Sequence, residues 1–208
     1  MKTVLNIVTY NICACCDFSL PKDENGKEQV SVDHISDILL SFDADVFGLQ
    51  EVYKSGPKPC YFEQAKKIAT KMKYPFYAYA KDQTTKWGNE VDEIGNAVIS
   101  RYPIINQESF TVLKPNENER RPSENDWYED RVLLETTIQL PNKRIITFMA
   151  THLGLNLLER ERMVKTICER LDCIKNPVIL VGDFNAKPDN KELLPIHERL
   201  TSCKSFLQ

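Results

Sequence analysis

Polar side chains follow four apolar segments of this 208-residue chain, at the points where those segments end. They are Asn11, Glu51, His152, Asp183 and Asn185. Singly, each has an ordinary interpretation, because Asn and Asp favour turns, Glu is commonly solvated and a semi-buried His commonly satisfies its own hydrogen bonds. Residues just past strand ends gather at one rim of a sheet protein, so the set predicts a shared site there.

The chemistry that this set offers is metal-assisted hydrolysis at phosphorus. A carboxylate at Glu51 suits a hard divalent cation such as Mg²⁺, which prefers oxygen ligands and keeps several waters. Asp183 can orient or deprotonate an attacking water. The carboxamides of Asn11 and Asn185 can donate hydrogen bonds to phosphoryl oxygens. His152 can donate to an oxygen that gains charge in the transition state.

The elements that must position these side chains are mainly strands, with a few helices between them. Predicted strands cover residues 3–9, 45–49, 74–80, 96–100, 131–139, 144–150 and 178–181. Predicted helices cover residues 31–42, 61–72 and 157–174. This mixed order predicts an α+β fold, an α/β sandwich in which paired sheets are covered by helices.

Composition fits one globular domain over residues 1–208, since 42% of the residues are hydrophobic and 27% are charged. The 27 Lys and Arg residues are outnumbered by 30 Asp and Glu residues, for a net charge of -3. Proteins that coat nucleic acid neutralise its phosphates and are usually basic, so this class is disfavoured.

Membrane and metal-cluster proteins are disfavoured as well. No apolar run reaches the roughly 18 residues of a membrane span. Seven cysteines are an odd number, which favours reduced thiols and a cytoplasmic protein. Cys13, Cys15 and Cys16 lack the spacing of zinc ligand pairs, so we expect buried or spare thiols.

Two further segments are predicted to lie at the surface. Residues 114–130 combine two prolines with dense charge, which indicates a long surface loop. Such a loop is either functional or a plain solvated insertion, and the sequence favours neither. His197 lies in a predicted helix and turn and is expected to be surface structure.

The sequence resembles the endonuclease/exonuclease/phosphatase superfamily, whose members have the DNase I-like fold. The motifs that carry the resemblance occur in the family's order. They are TYNI at 9–12, DVFGLQE at 45–51, GNAVISRYPI at 95–104, THLGLN at 151–156 and ILVGDFNAKPDN at 179–190.

The resemblance implies a four-layered αββα sandwich with two mixed sheets, a site at one rim, and dependence on Mg²⁺ or Mn²⁺. It implies that Glu51 binds the metal and that Asn11 lies beside metal and phosphate. It also implies that His152 contacts the phosphate or assists the leaving group. In the same way Asp183 would orient the water, and Asn185 would stabilise the pentavalent phosphorus.

Two departures from the family pattern qualify these expectations. Cys13 stands where some nuclease members have an acidic residue, which removes a second metal carboxylate. Family members also carry an Asp and a Ser-Asp-His motif after the G-D-F-N segment, and this chain shows neither in a matching context. We therefore expect a domain incomplete at its carboxyl end. It should lack the last strands, have little activity alone, and have an unpaired strand edge open to association.

Three functions stay open at this point. The first is a metal-dependent phosphodiesterase or phosphatase acting on a phosphoester substrate of unspecified class. The second is a truncated or non-catalytic member that keeps the fold and phosphate binding. The third is a nucleic-acid nuclease, which the acidic balance and the lack of a basic, aromatic-laced segment disfavour.

Overall fold

The computed structural model describes residues 4–56, 59–87 and 90–203. The strands are β1 (Ile7–Asn11), β2 (Cys16–Asp17), β3 (Gln29–Val30), β4 (Val46–Ser55), β5 (Phe76–Trp87), β6 (Glu90–Ser100), β7 (Ile104–Val112), β8 (Arg131–Gln139), β9 (Ile145–His152) and β10 (Val178–Asp183). The helices are α1 (Val32–Ser41), α2 (Gln64–Met72), α3 (Leu157–Cys173) and α4 (Leu194–His197).

Two four-stranded mixed sheets form the inner layers. The first sheet has the order β1-β4-β6-β5 and the second the order β10-β9-β8-β7. In each sheet one outer pair is parallel, β1 with β4 and β10 with β9, while the other neighbours are antiparallel. The paired β2 and β3 form a separate small ribbon.

Three apolar layers hold the sandwich together. Successive residues of a strand face opposite sides of its sheet, so Val46 packs between the sheets while Phe47 packs outward against α1 and α2. On the other side, Met149 of the second sheet packs with Met163 and Ile167 of α3. The result is the four-layered αββα arrangement that the motif resemblance implies.

The 114–130 loop lies against α3 and is not a loose insertion. Ion pairs join Arg121 to Glu161 and Arg162 to Glu119, each at 2.5 Å. Because these ion pairs hold the loop against α3, the last residues of the loop have a fixed position where they lead into β8.

One strand of the second sheet has no counterpart in the sequence prediction. β7 reads Ile-Ile-Asn-Gln-Glu-Ser-Phe-Thr-Val, and its side chains are mostly exposed because it is an edge strand. Its polar composition therefore hides it from hydrophobic patterning. β5 and β6 also extend well beyond the predicted 74–80 and 96–100, since together they form one long hairpin.

The strands β1 and β10 are the outer members of their sheets. Within the described residues β1 pairs only with β4, and β10 pairs only with β9. Association through such an edge stays a prediction. In the same part of the chain, no helix combines the length and the apolar character needed to cross a bilayer.

Two glycines, Gly48 of β4 and Gly182 of β10, allow close approaches between strands. A Cβ atom at Gly48 would lie 2.4 Å from Cγ2 of Val181, so the two sheets can meet closely only because Gly48 has no side chain. A Cβ at Gly182 would lie 2.3 Å from the backbone oxygen of Thr151. The clash at Gly48 is with a side chain that a substitution can shorten, whereas the clash at Gly182 is with backbone.

We expect Gly48→Ala to destabilise the protein by about 1 to 3 kcal/mol, the usual cost of overpacking a core. Val181→Ala removes the atom that the new methyl would strike, so the double variant should be more stable than the two single effects predict. Urea unfolding of the four proteins measures this coupling. Simple additivity would contradict it, and Gly182→Ala is the control that no such partner change should rescue.

Candidate functional site

The strand register brings the carboxyl ends of both parallel pairs to one rim. Asn11 is opposite Gln50 in the first sheet, and Asp183 is opposite His152 in the second. Between them lies an open cleft of about 540 Å³ whose lining includes Asn11, Gln50, Asp183 and Asn185. Three of the predicted strand-end residues, Asn11, Asp183 and Asn185, therefore line one cleft, although the role of each stays a prediction.

The side-chain amide of Asn11 links the two carboxylates of the site. Its Nδ2 atom donates to Oε1 of Glu51 at 2.7 Å and to Oδ2 of Asp183 at 3.2 Å. Its Oδ1 atom accepts the backbone N–H of Cys13 at 3.0 Å. Two carboxylates therefore share one neutral donor at the junction of the two sheets, which concentrates negative charge there.

Glu51 reaches this junction through an irregular backbone. The pairing of β4 with β6 shifts register between Leu49 and Val52, and Glu51 itself has a φ of 56°. A bulge re-aims the side chain at that point, and a non-glycine residue with positive φ costs of order 1 kcal/mol or more. The residue predicted to bind the metal is therefore one of the positions at which the backbone is strained.

The end of β10 supplies the second half of the site. Oδ1 of Asp183 accepts the backbone N–H of Asn185 at 3.1 Å, and Asn185 has a φ of 45°. Nδ2 of Asn185 donates to the backbone oxygen of Leu153 at 2.8 Å. Phe184 packs against the core under α3, on the opposite side from its two neighbours, as side-chain alternation predicts.

His152 lies at the floor of this group and is only 6% exposed. Its Nε2 atom is 3.1 Å from Nδ2 of Asn185 and 3.9 Å from Oδ2 of Asp183. Burial lowers the pKa of His152 to about 4, and the nearby guanidinium of Arg131 acts in the same direction. The imidazole is therefore neutral at neutral pH, despite the Asp183 carboxylate that opposes this shift.

A buried polar group behind His152 is absent from the sequence prediction. Arg131 pairs with Glu129, and its Nη1 atom is 3.4 Å from Nδ1 of His152 and 4.0 Å from Oδ2 of Asp82. Burial raises the pKa of Asp82 to about 8, against the opposing effect of Arg131. The sequence feature that could have indicated this buried polar group is the arginine at the start of the apolar strand Arg-Val-Leu-Leu.

Other polar residues near the rim have structural partners. Gln50 is 1% exposed, and it accepts from Thr9 and donates to the backbone oxygen of Gly48. His197 is exposed and contacts the backbone oxygen of Pro188 at 2.9 Å, as expected for a surface residue.

The cysteines after β1 form a tight turn of unusual backbone. Cys13, Ala14 and Cys15 have φ values of 45°, 56° and 63°. Burial raises the pKa of Cys13 and of Cys15 to about 12, so both are protonated thiols at neutral pH. Because the thiolate is the nucleophilic form of cysteine, both thiols are weak nucleophiles at neutral pH.

The donor set at the junction fits a hard divalent cation. Carboxylate and carboxamide oxygens are the ligands that Mg²⁺ prefers, and Mg²⁺ is often bound by one or two carboxylates with water and substrate oxygens completing its shell. Within the described ranges no group of three or more His, Cys, Asp or Glu residues is arranged to hold a metal.

Comparison with known proteins places these features in a wider group. The model of the Endonuclease/Exonuclease/phosphatase family matches residues 8–202. No curated protein matches the chain in sequence. Among solved structures, an endonuclease/exonuclease/phosphatase from Beutenbergia cavernae superposes with a TM-score of 0.68 at 22% identity. That match covers 92% of this chain but 52% of the other, so this chain spans about half of that protein.

Two further solved structures share the fold. The mannosyl-6-phosphatase of Bacteroides thetaiotaomicron has a TM-score of 0.62 at 18% identity, covering 94% of this chain and 70% of that one. The catalytic domain of human Nocturnin, with a bound sulfate anion, has a TM-score of 0.66 at 15% identity, covering 98% and 74%. Identities this low establish the fold alone.

The lowered pKa of His152 predicts how stability depends on pH. The unfolded chain protonates this residue near pH 6.5, whereas the folded chain does so only near the pKa of about 4. Between these values the unfolded state binds more protons, so stability falls as pH falls, by roughly 3 kcal/mol in total. Urea unfolding of the wild type and of His152→Gln, at several pH values through this window, measures the difference.

Asp82 titrates in the opposite sense, because its folded pKa is raised, and comparing the two proteins removes most of that contribution. Equal pH slopes for the wild type and His152→Gln would contradict the assignment of a buried neutral imidazole.

Proposed function

Because the chain belongs to the endonuclease/exonuclease/phosphatase family, we propose that its rim site hydrolyses a phosphoester bond with the help of a bound divalent cation. The observation that carries the proposal is the Asn11 amide, which joins the carboxylates of Glu51 and Asp183 at an open cleft lined by Asn11 and Asp183. His152 and Asn185 both lie beside the carboxylate of Asp183. Acids, amide donors and a neutral imidazole in one place are groups that can carry out hydrolysis at phosphorus.

Glu51 would hold the cation, Mg²⁺ or Mn²⁺, together with the side-chain oxygen of Asn11. When bound, the ion supplies charge that polarises a phosphoryl oxygen and offsets the charge gained in the transition state. The Asn11 oxygen also accepts the N–H of Cys13. A carbonyl oxygen has two lone pairs, so that bond leaves one free for a metal.

The remaining residues act on water and phosphate. Asp183, at the cleft end of β10, orients the attacking water and accepts its proton. Nδ2 of Asn185 has one N–H on the backbone oxygen of Leu153, and its second N–H would donate to a phosphoryl oxygen without the repulsion that a carboxylate would add. Both N–H groups of Asn11 are held by Glu51 and Asp183, so Asn11 would donate to a phosphoryl oxygen only by giving up one of these bonds. His152, which is neutral, contributes a single ring N–H to the same oxygens and does not act as a cation.

Phosphoesters of small molecules are our preferred substrate class. One neighbour of the fold is a mannosyl-6-phosphatase and another holds a sulfate, an anion with the shape of phosphate. The net charge of -3 opposes strong binding to a long polyanion, which keeps a nuclease as the less favoured alternative. All seven cysteines lie among the described residues and are free thiols, which supports a reducing compartment such as the cytoplasm.

A non-catalytic phosphate-binding protein is the second candidate function. It is favoured by the small number of acidic groups at the site, since a metal there would have few protein ligands. The two candidates differ in one measurement, the release of phosphate or alcohol from a panel of phosphomonoesters and phosphodiesters with Mg²⁺ or Mn²⁺. Phosphate binding without turnover of any substrate would favour the second.

We expect Glu51→Gln to weaken Mg²⁺ binding at least tenfold, because the change keeps the shape of the side chain but removes its charge. Isothermal titration calorimetry of the wild type and the variant measures this. Glu117→Gln, at an exposed position in the 114–130 loop, is the matched control and should bind as the wild type does. Equal affinity in all three proteins would remove Glu51 from the metal site.

We expect Asp183→Asn to lower kcat by about a hundredfold or more while KM changes little, since its proposed role is in proton transfer and water orientation. Steady-state hydrolysis of the best substrate in the panel measures this. Asp189→Asn, an exposed aspartate just beyond the same motif, is the control. If kcat were equal in wild type and Asp183→Asn, another residue would have to activate the water.

A further inference from the structure

The imidazole of His152 has a nitrogen donor on each side. Nη1 of Arg131 is 3.4 Å from Nδ1, and Nδ2 of Asn185 is 3.1 Å from Nε2. A neutral imidazole has one N–H and one lone pair, so it can accept from only one of these donors. One of the two contacts must therefore be donor against donor, and the position of the ring proton decides which.

Charge decides between the two positions. A guanidinium is a permanent cation that only donates, so an N–H of the ring pointing at Arg131 would be strongly unfavourable. Asn185 is neutral, and its amide keeps its bond to the backbone oxygen of Leu153 whichever form the ring takes. The carboxylate of Asp183, 3.9 Å from Nε2, attracts a proton on that side.

We propose that Arg131 is a positioning residue that keeps the proton of His152 on Nε2 and leaves Nδ1 as the acceptor. The proposal rests on the proposed function, because it gives the form in which His152 meets a phosphoryl oxygen. With the proton on Nε2, the ring presents a donor on the side of Asp183 and Asn185, two residues that line the cleft. With the proton on Nδ1, it would present a lone pair to an anionic substrate, which is repulsive.

The surroundings hold Arg131 in place for this role. It is the first residue of β8 and is 6% exposed, and its guanidinium is bound by Glu129 on one side and faces Asp82 on the other. The titratable and charged groups around His152 are thus Arg131 at the start of β8, Glu129 just before it, Asp82 from β5 and Asp183 from β10. Of the side chains in the described part of the chain, Arg131 is the one in polar contact with Nδ1.

Long-range ¹H–¹⁵N correlation spectra of the three histidine rings test the proposal, since the pattern of cross-peaks identifies which ring nitrogen carries the proton. His152→Gln assigns the signal by its loss. We expect the wild type to show the Nε2–H form of His152. In Arg131→Met the proton should move to Nδ1, because Nε2 can then accept from Asn185.

Arg131→Lys retains a cation and should keep the proton on Nε2. Arg170→Met is the matched control: Arg170 contacts Glu135 and the ring of Phe110 instead, so this variant should leave the His152 signal unchanged. An Nδ1–H form in the wild type would overturn the proposal even if Arg131→Met fails to fold. An unchanged Nε2–H form in a folded Arg131→Met would overturn it too.

These spectra need neither metal nor substrate. If the tautomer shifts as expected but the panel of phosphoesters is not hydrolysed, the positioning role stands and the proposed function fails. If hydrolysis is found but the tautomer does not respond to Arg131, the reverse holds.

Discussion

A single buried carboxyl group, that of Asp82, joins the two sheets beside the site. The layer between the sheets is mainly apolar, yet at its rim the backbone N–H and C=O of Val132 need partners away from water. Asp82 accepts that N–H at 2.7 Å, and Asn96 donates to that C=O at 3.0 Å. Side chains of the first sheet thus replace backbone pairing for a strand of the second, and they fix the distance between the sheets at that point.

The rest of the rim depends on this connection. Asp82 also faces the guanidinium of Arg131, whose position sets the surroundings of His152. The two strand pairs can then meet so closely that one amide, that of Asn11, reaches carboxylates from both sheets. Strained backbone at Glu51 and at Asn185 is tolerated because the neighbouring strands are held rigidly.

Sequence reasoning reached the site residues because each stands where an apolar strand stops, which is a local signal. It also reached the layers, since hydrophobic periodicity reports which elements have a buried face. It missed β7, whose exposed edge position calls for polar residues, and it missed the role of Asp82. That role depends on a side chain crossing from one sheet to a strand about fifty residues later, and no local pattern encodes such a contact. The positive φ at Glu51 likewise follows from a register shift that only the paired strands define.

The attachment of the 114–130 loop to α3 has a consequence for local unfolding. One buried carboxylate, that of Glu159, accepts the backbone N–H of Glu129 and that of Asn156, so it closes both the loop and the first turn of the helix. When the Glu159 carboxylate loses these two hydrogen bonds, the loop detaches from the helix. Glu129, the ion-pair partner of Arg131, then moves with the loop. Amide hydrogens of the loop and of the helix start should therefore exchange as one cooperative unit. Added salt should lower its opening free energy by screening the exposed pairs that hold the loop's outer half.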